Sequence, residues 1–292
     1  MTASMLVVPN RNRWLRAGGA LRGDVLATIG GVLLLLITLL AIFAPLLAPF
    51  PADAANATHP QAALLAPSWQ HWLGTDQVGR DELSRVLYGA RTSLFITVVV
   101  LVTAAIVGCL LGVTAGYVGG WLRDVIMRVT DIFLAFPSLL LSMALAFILT
   151  PSLRTVILAI AVTWWPWYVR LTAAVAQSAA GRGYVDSARC LGVPAWRIVL
   201  RHILPNSLTP VIVQLSLDAS GVILTAASLS FLGLGVQEPR CEWGLMIQEG
   251  ENLYSTNWWV VVAPAVAMVL TAFAFNMLGE GLRAKLDPRR VS

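Results

Sequence analysis

Residues 93–116 read SLFITVVVLVTAAIVGCLLGVTAG, from Ser93 to Gly116, and no charged side chain interrupts them. Wound as a helix at about 1.5 Å per residue, such a run crosses the roughly 30 Å hydrocarbon core of a bilayer. It is apolar without strand-length alternation, which argues for a helix rather than a strand of a barrel. Five more runs of similar length occur: Val25 to Leu47, Val125 to Leu149, Thr155 to Ala176, Leu208 to Leu234 and Trp258 to Leu282. The chain is 58% hydrophobic and 12% charged with a mean hydropathy of +0.76, too apolar for a soluble domain to cover with polar surface. The sequence therefore predicts an all-α integral membrane protein with six transmembrane helices.

The segments between the spans orient it. The first run is too long for the apolar region of a signal peptide and no clean small-x-small cleavage pattern follows, so it reads as a retained helix. With the amino terminus inside, fifteen of the 20 Lys and Arg residues, Arg123, Arg128 and Arg170 among them, fall in cytoplasmic segments; Arg80, Arg85, Arg91, Arg154 and Arg240 fall outside. That asymmetry follows the positive-inside rule and predicts both termini in the cytoplasm. The formal charge of +5 is then a topology signal, not a nucleic-acid-binding surface.

The organisation that results is a basic cytoplasmic tail (1–24), a first transmembrane helix (25–47), a proline-rich external segment (48–92), a core of five helices (93–282) and a short cytoplasmic tail (283–292). Gly116 to Gly120 is read as a tight link between spans two and three, and Thr150-Pro151-Ser152 as the link between spans three and four. The core carries one long polar, basic cytoplasmic loop (177–206). Within that loop Tyr184 to Asn206 reads as a helix that stops and another that restarts. Gly192 suits the left-handed position after a helix, and Pro194 suits the first turn of the next. Pro205 is then expected to break the second helix, with Asn206 capping span five. Leu191, Trp196, Ile198 and Val199 are expected on the apolar side of this elbow.

The loop resembles the coupling motif of bacterial ABC-importer permeases: Glu-Ala-Ala, three residues, Gly, nine residues, Ile, one residue, Leu-Pro. Asp186, Ser187, Ala188, Gly192, Leu204 and Pro205 fall at the matching spacing; Asp186 replaces Glu, Ser187 replaces Ala and His202 stands where the pattern has Ile. The external stretch Leu73 to Asp81 with Leu83-Ser84-Arg85 and Gly89-Ala90-Arg91 is similar to the signature of the dipeptide/oligopeptide/nickel permease subfamily. So are Met127-Arg128 with Asp131 to Pro137, Leu229 to Gly235, Glu242-Trp243-Gly244, and Gly281-Leu282-Arg283 with Leu286-Asp287-Pro288. The resemblance implies an ABC-importer permease core in a bacterial cytoplasmic (inner) membrane. The implied partners are a second homologous permease, two ATP-binding subunits and an extracytoplasmic substrate-binding protein. It implies that the loop docks on an ATPase, that ATP and Mg belong to those partner subunits, and that this chain binds no cofactor. The cargo implied is short peptides, with nickel or a metal chelate as the alternative.

The residues agree that the motor lies elsewhere. A Walker A loop needs Gly-Lys-Ser/Thr, and the only lysine, Lys285, precedes Leu286. No Gly-x-Ser-x-Gly or His-Glu-x-x-His marks a catalytic site, and His59, His71 and His202 lack metal-ligand spacing. Asp124, Arg128 and Asp131 share one face of the third span, as a gate or as a local ion-pair ladder. Asp218 lies near the middle of span five, lining the translocation path or hydrogen-bonded to a neighbour. Asp76, Arg80, Asp81 and Arg85 alternate in sign outside the membrane, as a docking surface or as solvated charges. A secondary transporter driven by an ion gradient, with Asp131 and Asp218 as ion sites, is the alternative of another class.

Overall fold

The computed structural model describes residues 25–286; the tail expected over 1–24, and Asp287 and Pro288 of the last motif, lie outside them. The helices, in chain order, are α1 (Val25–Ile42), α2 (Ala44–Leu47), α3 (Glu82–Val118), α4 (Gly120–Leu134), α5 (Ser138–Ile148) and α6 (Leu153–Ala180), followed by α7 (Gly183–Cys190), α8 (Ala195–Ile198), α9 (Leu204–Phe231), α10 (Trp243–Glu249) and α11 (Trp259–Leu286). Among the described residues the only extended pairing is an isolated bridge between Thr75 and Asp81.

Five helical segments are long and apolar enough to cross a membrane, and α4 with α5 supplies a sixth crossing only as a pair bent by 86°. The third span is thus broken rather than straight. Pro137 explains the break: it disfavours helical backbone at Phe136 and cannot donate the hydrogen bond a continuing helix needs. The link between the second and third spans also shifts. Gly116 is helical, and the chain turns instead at Gly119 and Gly120, whose φ angles of 68° and 58° suit glycine.

The most extensive helix contact is between α3 and α6. It is built on Gly108, Gly112 and Gly116, spaced by four along one face of α3. A Cβ on these glycines would run into Tyr168 and Trp165, into Thr172 and Val169, and into Ala173, respectively. Lipid gives helices no hydrophobic reason to associate, so small residues that admit a neighbouring backbone do that work. Thr172 exploits the approach, donating to the Gly108 carbonyl at 3.1 Å. Helix α1 packs chiefly on α11, where Gly30 faces Ala274 and Leu278 and Gly281 faces Ala27.

Helix α3 has 37 residues, about 55 Å at 1.5 Å per residue, more than a bilayer core requires. Its first turns stand in the cap formed by the segment read as external. Trp259, at the start of the last span, is 8% exposed and donates its indole N–H to the Thr75 carbonyl at 3.2 Å, fastening the last span to this cap.

Candidate functional site

The 177–206 loop folds as the expected elbow. Helix α7 ends at Cys190, Gly192 takes φ +72°, and Pro194 precedes the first turn of α8. The continuation differs from expectation at Pro205. From Ala195 to Phe231 the chain is one helical rod, with a π-helical stretch over Val199–Ile203. The wider turn accommodates the proline ring without ending the helix. The Asn206 side chain does not cap the helix from its amino end; its amide donates to the His202 carbonyl at 2.7 Å.

The elbow is fixed on one side and bare on the other. Val185, Ile198 and Ile203 are fully buried against Val113 of α3 and Ala176 and Ala179 of α6. The Arg189 guanidinium lies over the Tyr117 ring at 5.0 Å. Leu191 and Trp196, placed by sequence on the apolar inner side, are instead 82% and 61% exposed, and Leu200 is exposed beside them. Asp186 is exposed and paired with Arg189 at 3.3 Å, Ser187 donates to the Gly183 carbonyl at 2.9 Å, Ala188 packs under the elbow, and Pro205 is exposed. At His202 the motif's apolar position is displaced by one: the neighbouring Ile203 is the buried side chain.

Two polar groups lie at membrane depth. Asp218 accepts hydrogen bonds from the Tyr168 hydroxyl and the Gln214 amide, both at 2.8 Å. Asp131 does not pair within α4 as a ladder with Arg128; it accepts from Arg170 of α6 at 2.7 Å. Arg170 had been grouped with the cytoplasmic basic residues. It lies ten residues before the end of α6, inside the span, so the charge asymmetry rests on the other fourteen.

The cap charges are not solvated. Asp76, Arg80, Asp81 and Arg85 are all at most 6% exposed. One Asp76 oxygen accepts from Arg80 and Arg85, both at 2.6 Å. Arg80 reaches Glu238 at 2.9 Å and Arg85 reaches Glu249 at 2.7 Å. Asp81 caps α3 by accepting from the Ser84 amide at 2.9 Å, and its other oxygen meets His71 at 2.9 Å. Burial pushes the Glu249 carboxyl above its ordinary value, although Arg85 and Arg80 draw it back. Burial also acts upward on Glu238, but the bond and charge of Arg80 outweigh it and leave that carboxyl below its ordinary value. Glu242, the first residue of the Glu-Trp-Gly motif, caps α10 by accepting from the Leu245 amide at 3.0 Å, and Ser93 of α3 donates to it at 3.1 Å. Trp243 donates to the Val86 carbonyl at 3.1 Å. Motif blocks far apart in sequence are therefore the two halves of one clamp. The four residues considered for docking hold the cap to the helices, and what they leave facing outward is Glu238, whose side chain is 59% exposed. Among the described residues no group of three or more His, Cys, Asp or Glu is placed to hold a metal ion.

A six-crossing helical bundle with membrane-depth polar groups and a rigidly mounted elbow defines the class: a membrane permease, the path-forming part of a transport system. The chain belongs to the family described as binding-protein-dependent transport system inner membrane component, which matches residues 108–292; residues 12–67 match the N-terminal transmembrane domain of oligopeptide transport permease C. It is 45% identical over 269 residues to a probable D,D-dipeptide transport system permease protein of Escherichia coli (strain K12), covering 92% of this chain and 89% of that protein. It is 43% identical to a di/tripeptide transport system permease protein of Pseudomonas aeruginosa, with 89% and 88% covered. It is 39% identical to a glutathione transport system permease protein of Pectobacterium atrosepticum, with 97% and 92% covered. Its fold is similar to that of a chain of the MetNI methionine ABC transporter at a TM-score of 0.53 and 17% identity, over 69% of this chain and 96% of that one. The protein is thus a multi-pass inner-membrane permease subunit. Permease subunits of this family are not themselves enzymes and work with ATP-binding and substrate-binding components.

Proposed function

We propose that this chain forms half of the translocation pathway of an ATP-driven importer of short peptides. In this reading it pairs with a second homologous permease, two ATP-binding subunits that carry ATP and Mg dock on the cytoplasmic side, and an extracytoplasmic binding protein delivers the peptide. Both termini lie in the cytoplasm. The three relatives described above are named for dipeptides, di/tripeptides and glutathione, all short peptides.

The observation that carries the mechanism is the elbow's two-sidedness. Leu191 and Trp196 present apolar surface with no cover from the described residues, while Val185, Ile198 and Ile203 bind the same elbow to α3 and α6. A partner that grips the bare side and moves would shift the two helices through contacts too closely packed to yield. Gly192 and Pro194 set the bend between the gripped turn and the rod that continues into α9. In this reading Asp218 and Asp131 lie along the path.

The test is reconstitution of the complete transporter in sealed proteoliposomes with a labelled dipeptide. Uptake is expected to require ATP hydrolysis by the ATP-binding subunits, and Leu191→Cys is expected to cross-link to one of them. Uptake driven by a proton or sodium gradient without those subunits overturns the reading.

A further inference from the structure

The Asp131–Arg170 pair is out of place unless it has a task. Both residues lie on membrane-spanning helices, yet their side chains are 55% and 51% exposed. Arg170 is 17 residues into α6 and ten from its end, about 25 Å and about 15 Å along the axis. An ionised pair at that depth does not face hydrocarbon; it faces water or protein. Exposed stripes run along both helices beside it, that of α4 polar and bordered by the exposed apolar Val125, Val129 and Ile132. On α6 the exposed positions Trp167, Arg170, Ala174 and Gln177 follow at helical spacing, and on α4 so do Asp124, Arg128 and Asp131. Immediately beyond Asp131 the third span breaks, and the break opens a cavity of about 330 Å³ lined by Phe133, Phe136, Pro137, Thr163 and Trp167.

We propose that Asp131 and Arg170 form a two-signed station on the translocation path that takes the charged ends of a zwitterionic peptide, Arg170 the carboxylate and Asp131 the ammonium. The inference rests on the peptide-importer reading and adds to it the residues that meet the cargo. The chemistry fits. A short peptide with free termini carries one charge of each sign and no net charge, and so does the pair. A carboxylate has several lone pairs and a guanidinium several N–H donors, and the single 2.7 Å bond between them leaves most of both unused. A lone acid or base would hold one end of the peptide and expose a net charge in the membrane once the peptide left. A pair that closes on itself when empty avoids that cost and releases its cargo by re-forming its own bond. The aromatic cavity one turn away offers an apolar place for a peptide side chain.

The test uses the complete reconstituted transporter with a dipeptide bearing free termini. Asp131→Asn and Arg170→Gln are each expected to lower uptake per assembled complex by about tenfold or more, the scale of a hydrogen bond to a charged group. The exchange Asp131→Arg with Arg170→Asp rebuilds an ion pair but reverses the ends, and it is expected not to restore uptake. Restoration by the exchange shows a structural bridge and overturns the proposal, as does full uptake by either single variant. A milder variant guards against misfolding. In a Cys190→Ser background, with Cys109 and Cys241 buried, Ala174→Cys places a thiol one turn from Arg170. It is expected to react with a membrane-impermeant thiol reagent, and peptide is expected to slow that reaction. No reaction means the stripe is sealed or faces lipid, and the proposal fails. Failure of the importer reading is separately visible, because the wild-type transporter itself would then show no ATP-driven uptake.

Discussion

The cap and the elbow carry the two densest sets of charged and apolar motif residues in the chain, and they are built in opposite ways. In the cap, Asp76, Arg80, Asp81 and Arg85 are buried and closed on themselves by Glu238, Glu249 and His71. In the elbow, Leu191, Trp196 and Leu200 are exposed, and the one internal ion pair, Asp186 with Arg189, is open to solvent. A region that pairs its charges internally holds shape, although both Glu82 oxygens, one Glu249 oxygen and the Arg85 Nε find no hydrogen-bond partner among the described residues; a region that leaves apolar surface uncovered waits for a partner. The contrast divides the molecule into a rigid outer clamp and an inner handle.

The sharpest way to break the clamp is Arg85→Met. The substitution leaves the buried carboxylates Asp76 and Glu249 with Arg80 alone, which reaches Asp76 at 2.6 Å but Glu249 only at 3.5 Å, and removing one partner of a buried pair costs about 3–5 kcal/mol. Thermal unfolding of the detergent-purified protein should shift sharply downward and membrane abundance should fall. A variant as stable as wild type would show that the cap charges are weakly coupled after all.

The handle should respond in the other readout. Trp196→Ala removes an exposed aromatic of the kind that anchors interfaces, and truncating such an anchor costs about 2 kcal/mol or more of binding. Co-purification of the ATP-binding subunits and peptide uptake should drop together while the thermal unfolding of this chain stays where it was. A stability loss with docking intact would reverse the assignment of the two regions.

Gly192 sharpens the comparison further, because its surroundings are empty: nothing lies within 4 Å of where a Cβ would stand, yet φ is +72°. Gly192→Val therefore strains the backbone by about 1–2 kcal/mol without a clash. The expected effect is a reduced number of peptides moved per ATP hydrolysed, at normal abundance. Gly192→Asn tolerates the left-handed backbone and should stay close to wild type; equal damage from both would place the effect in side-chain contacts with the partner rather than in the turn.

What the sequence disclosed, and what it did not, follows the same division. Hydropathy located the long apolar helices of the described residues because lipid acts on each helix separately, and the turn at Gly192 was legible because backbone conformation is local. The break in the third span was announced only by Pro137 inside an otherwise apolar run. The Gly108-Gly112-Gly116 stripe was present as a small-residue repeat but went unread as the contact between α3 and α6. Arg170 was assigned to the cytoplasm because its partner Asp131 lies 39 residues away on another helix. The cap charges looked solvated for the same reason: Arg80 meets Glu238 across 158 residues and Arg85 meets Glu249 across 164. Periodicity within one segment says nothing about such partners. Leu191 and Trp196 were placed inside by their apolarity, which is a rule about chains that complete their own surface.

The smallest effect expected belongs to Glu238, the one member of the clamp in water. Its side chain is 59% exposed, so Glu238→Gln should cost no more than about 1 kcal/mol. Its pH dependence has a definite sign. A carboxyl held below its ordinary value contributes stability above that ordinary value, and loses it as pH falls through the lowered one. The wild type should therefore lose the Arg80–Glu238 contribution only below about pH 4.5, the ordinary glutamate value, and the variant should lack that acid-limb difference. Thermal unfolding of both proteins from pH 7 to pH 3 measures it: the two curves should run parallel in the upper part of that range and converge at its acid end. Convergence already near neutral pH would mean that Glu238 titrates as a buried group, and the clamp would then extend to the outer surface of the cap instead of stopping one residue short of it.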